Sequence, residues 1–316
     1  MMFGGKTSAE DSYAIIDRAL DAGINFLDTA NVYSRGRSEE VTGAALKRNG
    51  GRSRVILATK VHGRMDDEEP NAWGNSRRHI IEECEASLRR LQTDYIDLYQ
   101  IHRPQPEIPI DETLRALDDL IRAGKVRYIG TSTFAAWQVL EALWVSKELG
   151  LNRFICEQPP YHILDRRIER GLIPMARTYG IAIIPWSPLA GGLLTGKYTR
   201  NGPPPPDSRF AEYATTPRLK ARMVEQLFDV VEGLAPLAAA KTCTVSQLAL
   251  AWSVQQPGIT SPIIGPRTME QLEDNLGALT VALSDADHQA IDQLVPPGRM
   301  VSPFYEAEFG PHPQRW

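Results

Sequence analysis

From residue 24 onward, short runs rich in β-branched residues alternate with segments of helical period, and this alternation constrains the fold most. Strands are expected over 24–27, 55–59, 95–101, 126–131, 153–157, 181–186 and 262–264. The stretches between them are too long for hairpins and carry apolar residues at helical spacing, so consecutive strands should be parallel and joined by helical crossovers. Ser8, with Asp11 three residues later, has the pattern of a helix start. Ile81, Cys84, Leu88 and Leu91 share one helical face, and Leu114, Leu117 and Ile121 share another. Gly23, Gly124, Gly150 and Gly180 each stand where a helix should stop before the next strand. An α/β fold with a parallel sheet follows.

The 316 residues would fill one large α/β domain or two smaller ones. Two connections exceed the usual short loop: 61–76, charged and carrying Trp73, and 190–217, rich in Gly and Pro. The first is expected on the substrate side. The second is expected to form a lid, in which Lys197 and Arg209 are placed to meet phosphate. Helices are expected near 218–240, near 268–278 and from Ser284 to about Leu294, and a tail over 296–316 is expected to pack across the open end of the strands. Lys and Arg number 35 against 39 Asp and Glu, with no basic stripe, which argues against nucleic-acid or membrane-surface partners. Cys84, Cys156 and Cys243 lack metal-ligand spacing and read as reduced thiols of a cytosolic protein, with no metal site. Neither a signal peptide nor a bilayer-spanning run is evident. No GxGxxG follows a strand and no Walker motif is present.

Four polar residues lie at or near the ends of strand-like runs: Asp28 after INFL, Tyr33 five residues on, Lys60 after VILAT and His102 after IDLYQI. Each alone has an ordinary explanation, the carboxylate as a cap, the lysine as a solvated end and the histidine as a satisfied structural residue. Together they suit proton-coupled reduction of a carbonyl. A tyrosine hydroxyl gives a proton, a neighbouring ammonium favours the phenolate left behind, a carboxylate holds the ammonium, and an imidazole orients the oxygen.

The stretch AGINFLDTANVYSRGRSEEVTGAALK, then ILATK, DYIDLYQIHRP, KVRYIGTSTF, ICEQPPYH, IIPWSPLAGGLLTGKY and IIGPRTMEQLEDNL, resembles the aldo-keto reductases in order and spacing over nearly the whole chain. Trp186 and the WSPLAGGLLTGKY wording are similar to the branch that includes potassium-channel β subunits. The resemblance implies a single (β/α)8 TIM-type barrel over 1–316, with strand ends converging on one face. It implies NADPH-dependent reduction of a small aldehyde or ketone, with Asp28, Tyr33, Lys60 and His102 catalytic. It assigns Ser132 and Gln158 to the nicotinamide carboxamide and Trp186 to stacking on the nicotinamide ring. Ser187, Pro188, Leu189, Gly191 and Lys197 match the pyrophosphate loop, to which the lid residue Arg209 is added on its charge alone. Gly265, Arg267, Gln271 and Asn275 match the adenosine end, where Arg267 suits a 2′-phosphate and so favours NADP(H) over NADH. Thr133 stands where the family usually has Asn after the carboxamide-binding Ser.

A closed barrel needs eight strands, and the chain supplies seven. Relative to the family, the sequence is expected to lack the first strand and the N-terminal hairpin, MMFGGKT leading straight into the first helix. Adding about 25 residues upstream, a hairpin plus a strand, is expected to raise thermal stability and cofactor affinity. The alternative function is an NADP(H)-binding regulatory subunit with little turnover, and homo-oligomer formation is left open. A metal-dependent barrel hydrolase is disfavoured, because His102 is the lone strand-end histidine and no His-x-His pair exists.

Overall fold

Ser8 opens the first helix: its hydroxyl accepts from the Asp11 amide at 3.1 Å, satisfying one of the donors a helix N-terminus leaves over. The computed structural model describes residues 1–206, 208–212, 216–302 and 304, which fall into two compact units. One holds residues 1–157 and 265–272, the other 158–264 and the described residues from 273 on.

Up to residue 157 the first unit alternates helix and strand: α1 (Ala9–Asp21), β1 (Phe26–Asp28), α2 (Arg37–Asn49), β2 (Ile56–Val61), α3 (Arg77–Leu91), β3 (Ile96–Ile101), α4 (Ile110–Arg122), β4 (Val126–Ser132), α5 (Ala136–Leu149) and β5 (Cys156–Gln158), whose last residue falls in the second unit. Strands neighbour one another in chain order. The first three pairings are parallel, with Asp28 opposite Ala58, Lys60 opposite Gln100 and Gln100 opposite Gly130. Because side chains alternate across a strand, Asp28, Lys60, Gln100 and Gly130 share one face. Leu57, Thr59, Tyr99 and Ile129 share the other, where Thr59 donates to Glu39 of α2 and the Tyr99 hydroxyl to the Ile80 carbonyl of α3. Parallel strands joined by helical crossovers make an α/β fold consistent with an incomplete (β/α)8 barrel.

Helix packing follows the expected stripes with two shifts: Ile80, rather than Ile81, heads the buried face of α3, continued by Cys84, Leu88 and Leu91, and Leu120, rather than Ile121, closes the buried face of α4 after Leu114 and Leu117. An i, i+4 spacing from Ile80 to Cys84 and Leu88 aligns the residues better than one starting at 81. Gly43 of α2 lies against the α3 terminus so closely that a Cβ would stand 2.4 Å from the Leu91 carbonyl oxygen. At the N-terminus, the Met2 carbonyl accepts from the amides of Gly5 and Thr7, and Phe3 bridges to Thr7, making a turn. β1 lies at the end of the strand order. At the strands' N-terminal ends Ile56 and Tyr128 are 44% and 58% exposed.

The second unit contains α6 (Leu172–Tyr179), β6 (Ala182–Ile183), α7 (Arg209–Glu212), α8 (Pro217–Lys220), α9 (Glu225–Ala240), α10 (Val245–Gln255) and α12 (Asp285–Leu294), while α11 (Met269–Gly277) begins in the first unit's numbering and ends in the second's. The strand expected over 181–186 is only two residues long, and that over 262–264 is reduced to a bridge between Trp186 and Ile263. Pro185 and Pro262 lack the N–H that a continuous ladder needs. The helix expected near 218–240 is broken into α8 and α9, and between them Arg222 is buried and its carbonyl accepts from Ser302. Arg200 ties the 190–217 segment to α9 by ion pairs to Glu225, Asp229 and Glu232. The start of the tail runs against 162–166: Asp165 bridges to Met300 and the Val301 amide donates to Leu164. Residues 303 and 305–316 of the tail lie outside the described residues, as do 207 and 213–215 of the lid segment.

His162 is wholly buried beside Phe304, ring centroids 4.4 Å apart, and neither ring nitrogen has a hydrogen-bond partner among the described residues. Burial pushes its pKa down to about 4, with Asp165 opposing and Arg222 reinforcing the fall. The folded ring stays neutral while the unfolded ring takes up a proton below about 6.5. Stability should therefore fall as pH drops from about 6.5 towards 4, by about 3 kcal/mol for this residue. Denaturant titrations at several pH values should show that loss, and His162→Leu should flatten the slope; an unchanged slope would mean other groups set it.

Candidate active site

β1 and β2 end beside one another, and the pairing register sets Asp28 against Ala58, one turn of the pleat before Lys60. Lys60 is fully buried and Asp28 nearly so, and the ammonium is ion-paired to Asp28 Oδ1. It also donates to the Thr29 carbonyl at 2.8 Å, and Gln100 Nε2 donates to the second Asp28 oxygen at 3.2 Å. Burial pulls the Lys60 pKa down, but the charge of Asp28 and the Tyr33 hydroxyl more than offset it. The group therefore stays protonated above its ordinary range. Tyr33, half-buried, places its ring 5.1 Å from Lys60 Nζ and edge-on to His102 with centroids 5.5 Å apart.

Tyr33 begins a strained loop. Ser34, Arg35 and Gly36 follow it with φ of 50°, 52° and 90°, a left-handed run that only glycine adopts readily. His102, just beyond β3, is buried, and its imidazole is held far below its ordinary pKa, first by burial and then by the charges of Arg103 and Lys60. A neutral imidazole donates a hydrogen bond from one nitrogen but holds no spare proton. The structure thus gathers all four residues singled out from the strand ends around a single centre. The arrangement can protonate a carbonyl oxygen from Tyr33 while Lys60 offsets the charge left on the phenol.

The 61–76 connection borders this centre. His62 Nδ1 lies 2.9 Å from Asn75 Oδ1, its ring packs edge-on to Trp73, and Arg64 lies over the Trp73 ring at 5.7 Å. Arg35 beside the tyrosine pairs with Asp67 of the same connection. Three further residues escaped sequence reading. Gln100 is polar inside the run IDLYQI, and the pairing register sets it opposite Lys60. Arg103 follows His102 directly, and Glu157 is a charged residue within a strand run, which is rare unless paired. Ser132 ends β4, buried, with its hydroxyl 3.3 Å from that of Thr133.

Two other groups of expected binding residues have their own local geometry. In the second unit, Gln158 is buried at the end of β5 and Trp186 contacts the Phe304 ring, centroids 6.4 Å apart. Ser187 has a φ of 63° and its carbonyl accepts from Ala190, closing a tight turn over Pro188 and Leu189. Gly191 and Gly192 follow at φ 67° and 105°; a Cβ on them would lie 3.6 Å from Arg209 Nη1 and 3.2 Å from Lys197 Nζ respectively. Two bare backbone positions flanked by two cations are what a phosphate chain needs. In the first unit, exposed Gly265 precedes Arg267, whose amide donates to Gln271 Oε1 at 2.8 Å and whose carbonyl accepts from Thr7. Asn275 is half-buried on α11. No group of three or more metal-ligating residues occurs among the described residues, and no helix is long and apolar enough to cross a membrane.

Comparison with known proteins agrees with this geometry. The model of the Aldo/keto reductase family matches residues 1–296. A probable voltage-gated potassium channel subunit beta of Oryza sativa is 39% identical over 281 residues, covering 88% of this chain and 85% of that protein. Its counterpart in Arabidopsis thaliana is 38% identical over the same length. An uncharacterized oxidoreductase of Bacillus subtilis is 37% identical over 306 residues, covering 94% of this chain and 90% of that protein. A family match over nearly all of the chain, relatives of this identity and an incomplete (β/α)8 barrel with an Asp–Lys–Tyr–His centre lead to one conclusion: the chain belongs to the aldo/keto reductase family.

Proposed function

We propose that this family member is an NADP(H)-dependent enzyme that reduces an aldehyde or ketone to an alcohol. The observation that carries the reading is the buried Lys60 ammonium, paired to Asp28 and beside the Tyr33 ring. A buried lysine with a dedicated carboxylate is costly to fold and has a use where a neighbouring phenol must lose a proton. A bound nicotinamide would supply the hydride, which no side chain can. Tyr33 gives the proton to the substrate oxygen, Lys60 stabilises the phenolate, and Asp28 holds Lys60 charged and oriented. Neutral His102 donates a hydrogen bond to the same oxygen as negative charge develops.

The residues fit such a cofactor in parts. In the second unit, Gly191 and Gly192 with Lys197 and Arg209 suit a pyrophosphate, Ser187, Pro188 and Leu189 the turn leading into it, Trp186 a nicotinamide ring and Gln158 a carboxamide; in the first unit, Ser132 suits a carboxamide. Gly265, Arg267, Gln271 and Asn275 are assigned to the adenosine end. Arg267→Ala should weaken NADPH by about 1.5–3 kcal/mol, the range for hydrogen bonds to a charged group, and barely alter NADH. Binding titrations with both cofactors decide this, and an equal loss for the two would show that Arg267 only supports its loop.

Steady-state NADPH oxidation against a panel of aldehydes and ketones tests the main reading. The names of the plant relatives favour a second one, a cofactor-binding subunit of a larger assembly. Tight NADPH binding without turnover on any carbonyl would decide for the second.

A further inference from the structure

Thr133 has a φ of 64°, and it is β-branched. The left-handed region admits Gly and, less readily, Asn, but crowds a branched Cβ, so surrounding contacts must hold such a residue there. Those contacts converge on Glu157, a wholly buried carboxyl in β5. Its Oε1 accepts from the Phe134 amide at 3.1 Å and the carboxyl also takes the Thr133 amide, so two successive backbone N–H groups of the turn point at one side chain. Its Oε2 is 2.5 Å from the Thr131 hydroxyl, one residue before Ser132. On the other side of the turn, Arg103 Nη1 donates at 2.6 Å to the Thr133 hydroxyl and at 2.6 Å to the His102 carbonyl. The turn that carries Ser132 is thus gripped from below by a carboxyl and tied through Arg103 to the residue that carries the imidazole.

We infer that Glu157 is a positioning residue: it clamps the Thr133 turn in its left-handed form and so fixes the Ser132 hydroxyl, which, on the reading proposed above, binds the nicotinamide carboxamide. Glu157 itself touches neither substrate nor cofactor. Burial pushes its pKa up to about 8, so near neutrality the group is largely protonated. Oε1 then still accepts from the Phe134 amide, and the proton is shared with Thr131. Holding the turn requires an acceptor there rather than a charge. Asn at position 133 tolerates the left-handed region and offers an oxygen to Arg103, so it should make the clamp dispensable.

The test is a rescue experiment on the full chain, reading NADPH affinity by fluorescence titration and thermal midpoint in parallel. Glu157→Ala should raise the NADPH Kd at least about tenfold, since a turn with two unsatisfied buried amides relaxes. Glu157→Gln keeps an acceptor and should recover most of that loss. Adding Thr133→Asn to Glu157→Ala should bring the Kd back to within about threefold of the parent, a strongly non-additive pair. Parent-like affinity in Glu157→Ala, or a double variant as weak as Glu157→Ala, overturns the inference. If Glu157→Ala does not fold, recovery of the thermal midpoint by Thr133→Asn supports the clamp and its absence overturns it. A parent protein that does not bind NADPH defeats the functional reading instead, and the midpoint comparison still decides whether Glu157 holds the turn.

Discussion

On the proposed function, Tyr33→Phe should lower the carbonyl-reduction rate at least about 10²-fold, because it deletes the hydroxyl assigned to protonate the substrate oxygen. The substitution keeps the ring, so its edge-on contact with His102 and its position beside the Lys60 ammonium persist. Folding and NADPH affinity should therefore change little, and the loss should fall on the turnover number. Among the described residues, neither ionisable neighbour of Tyr33 in this centre is placed to take over. His102 is held neutral by burial and by the charges of Arg103 and Lys60, and Lys60 is committed to Asp28 and the Thr29 carbonyl. Pre-steady-state NADPH oxidation with the variant checks this, and full activity would mean that another acid protonates the oxygen. Residual activity that grows as pH falls would point to direct protonation by solvent.

Much of this centre was legible because strand ends announce themselves. Asp28, Lys60 and His102 each break an apolar run, and parallel strands must deliver such breaks to the same edge of the sheet. What sequence could not show is how the charges are satisfied. The Thr29 carbonyl that shares Lys60 is a backbone group with no signature, and Gln100 is recognisable only once the register sets it opposite Lys60. Glu157 of β5 and Arg103 of the loop after β3 meet through Thr133, so their relation is tertiary. The fold was read in the same way. Long β-branched runs became β2, β3 and β4 nearly as expected, whereas Pro185 and Pro262 cut the later strands to a short strand and a bridge. Between α8 and α9 lies the buried Arg222, a break that helical periodicity does not encode. Ile80 displaced Ile81 because two adjacent isoleucines leave the phase of the stripe open until a neighbour fixes it.

Removing Asp28 should cost more stability than any other single change at the site. Lys60 has no exposed side-chain surface and Asp28 only 8%, so Asp28→Ala strands a buried ammonium, with an expected loss of about 3–5 kcal/mol. Asp28→Ala with Lys60→Met replaces the pair by apolar groups and should cost far less than the single change, since the desolvation penalty disappears with the charge. The pH dependence separates this account from a simple packing loss. In the parent the Lys60 pKa lies above its ordinary value of 10.5, so its contribution is complete below that value and fades as pH rises through the folded pKa. In Asp28→Ala burial still pulls the pKa down and its main opponent is gone, so the folded protein binds fewer protons than the unfolded chain. Stability of the variant should then rise with pH up to about 10.5, the reverse of the parent's fall above it. Denaturant unfolding from pH 7 to 10.5 reads the slope directly. A variant whose stability stays flat over that range, or a double variant no more stable than Asp28→Ala, would show that the ammonium finds water or another partner once the carboxylate is gone.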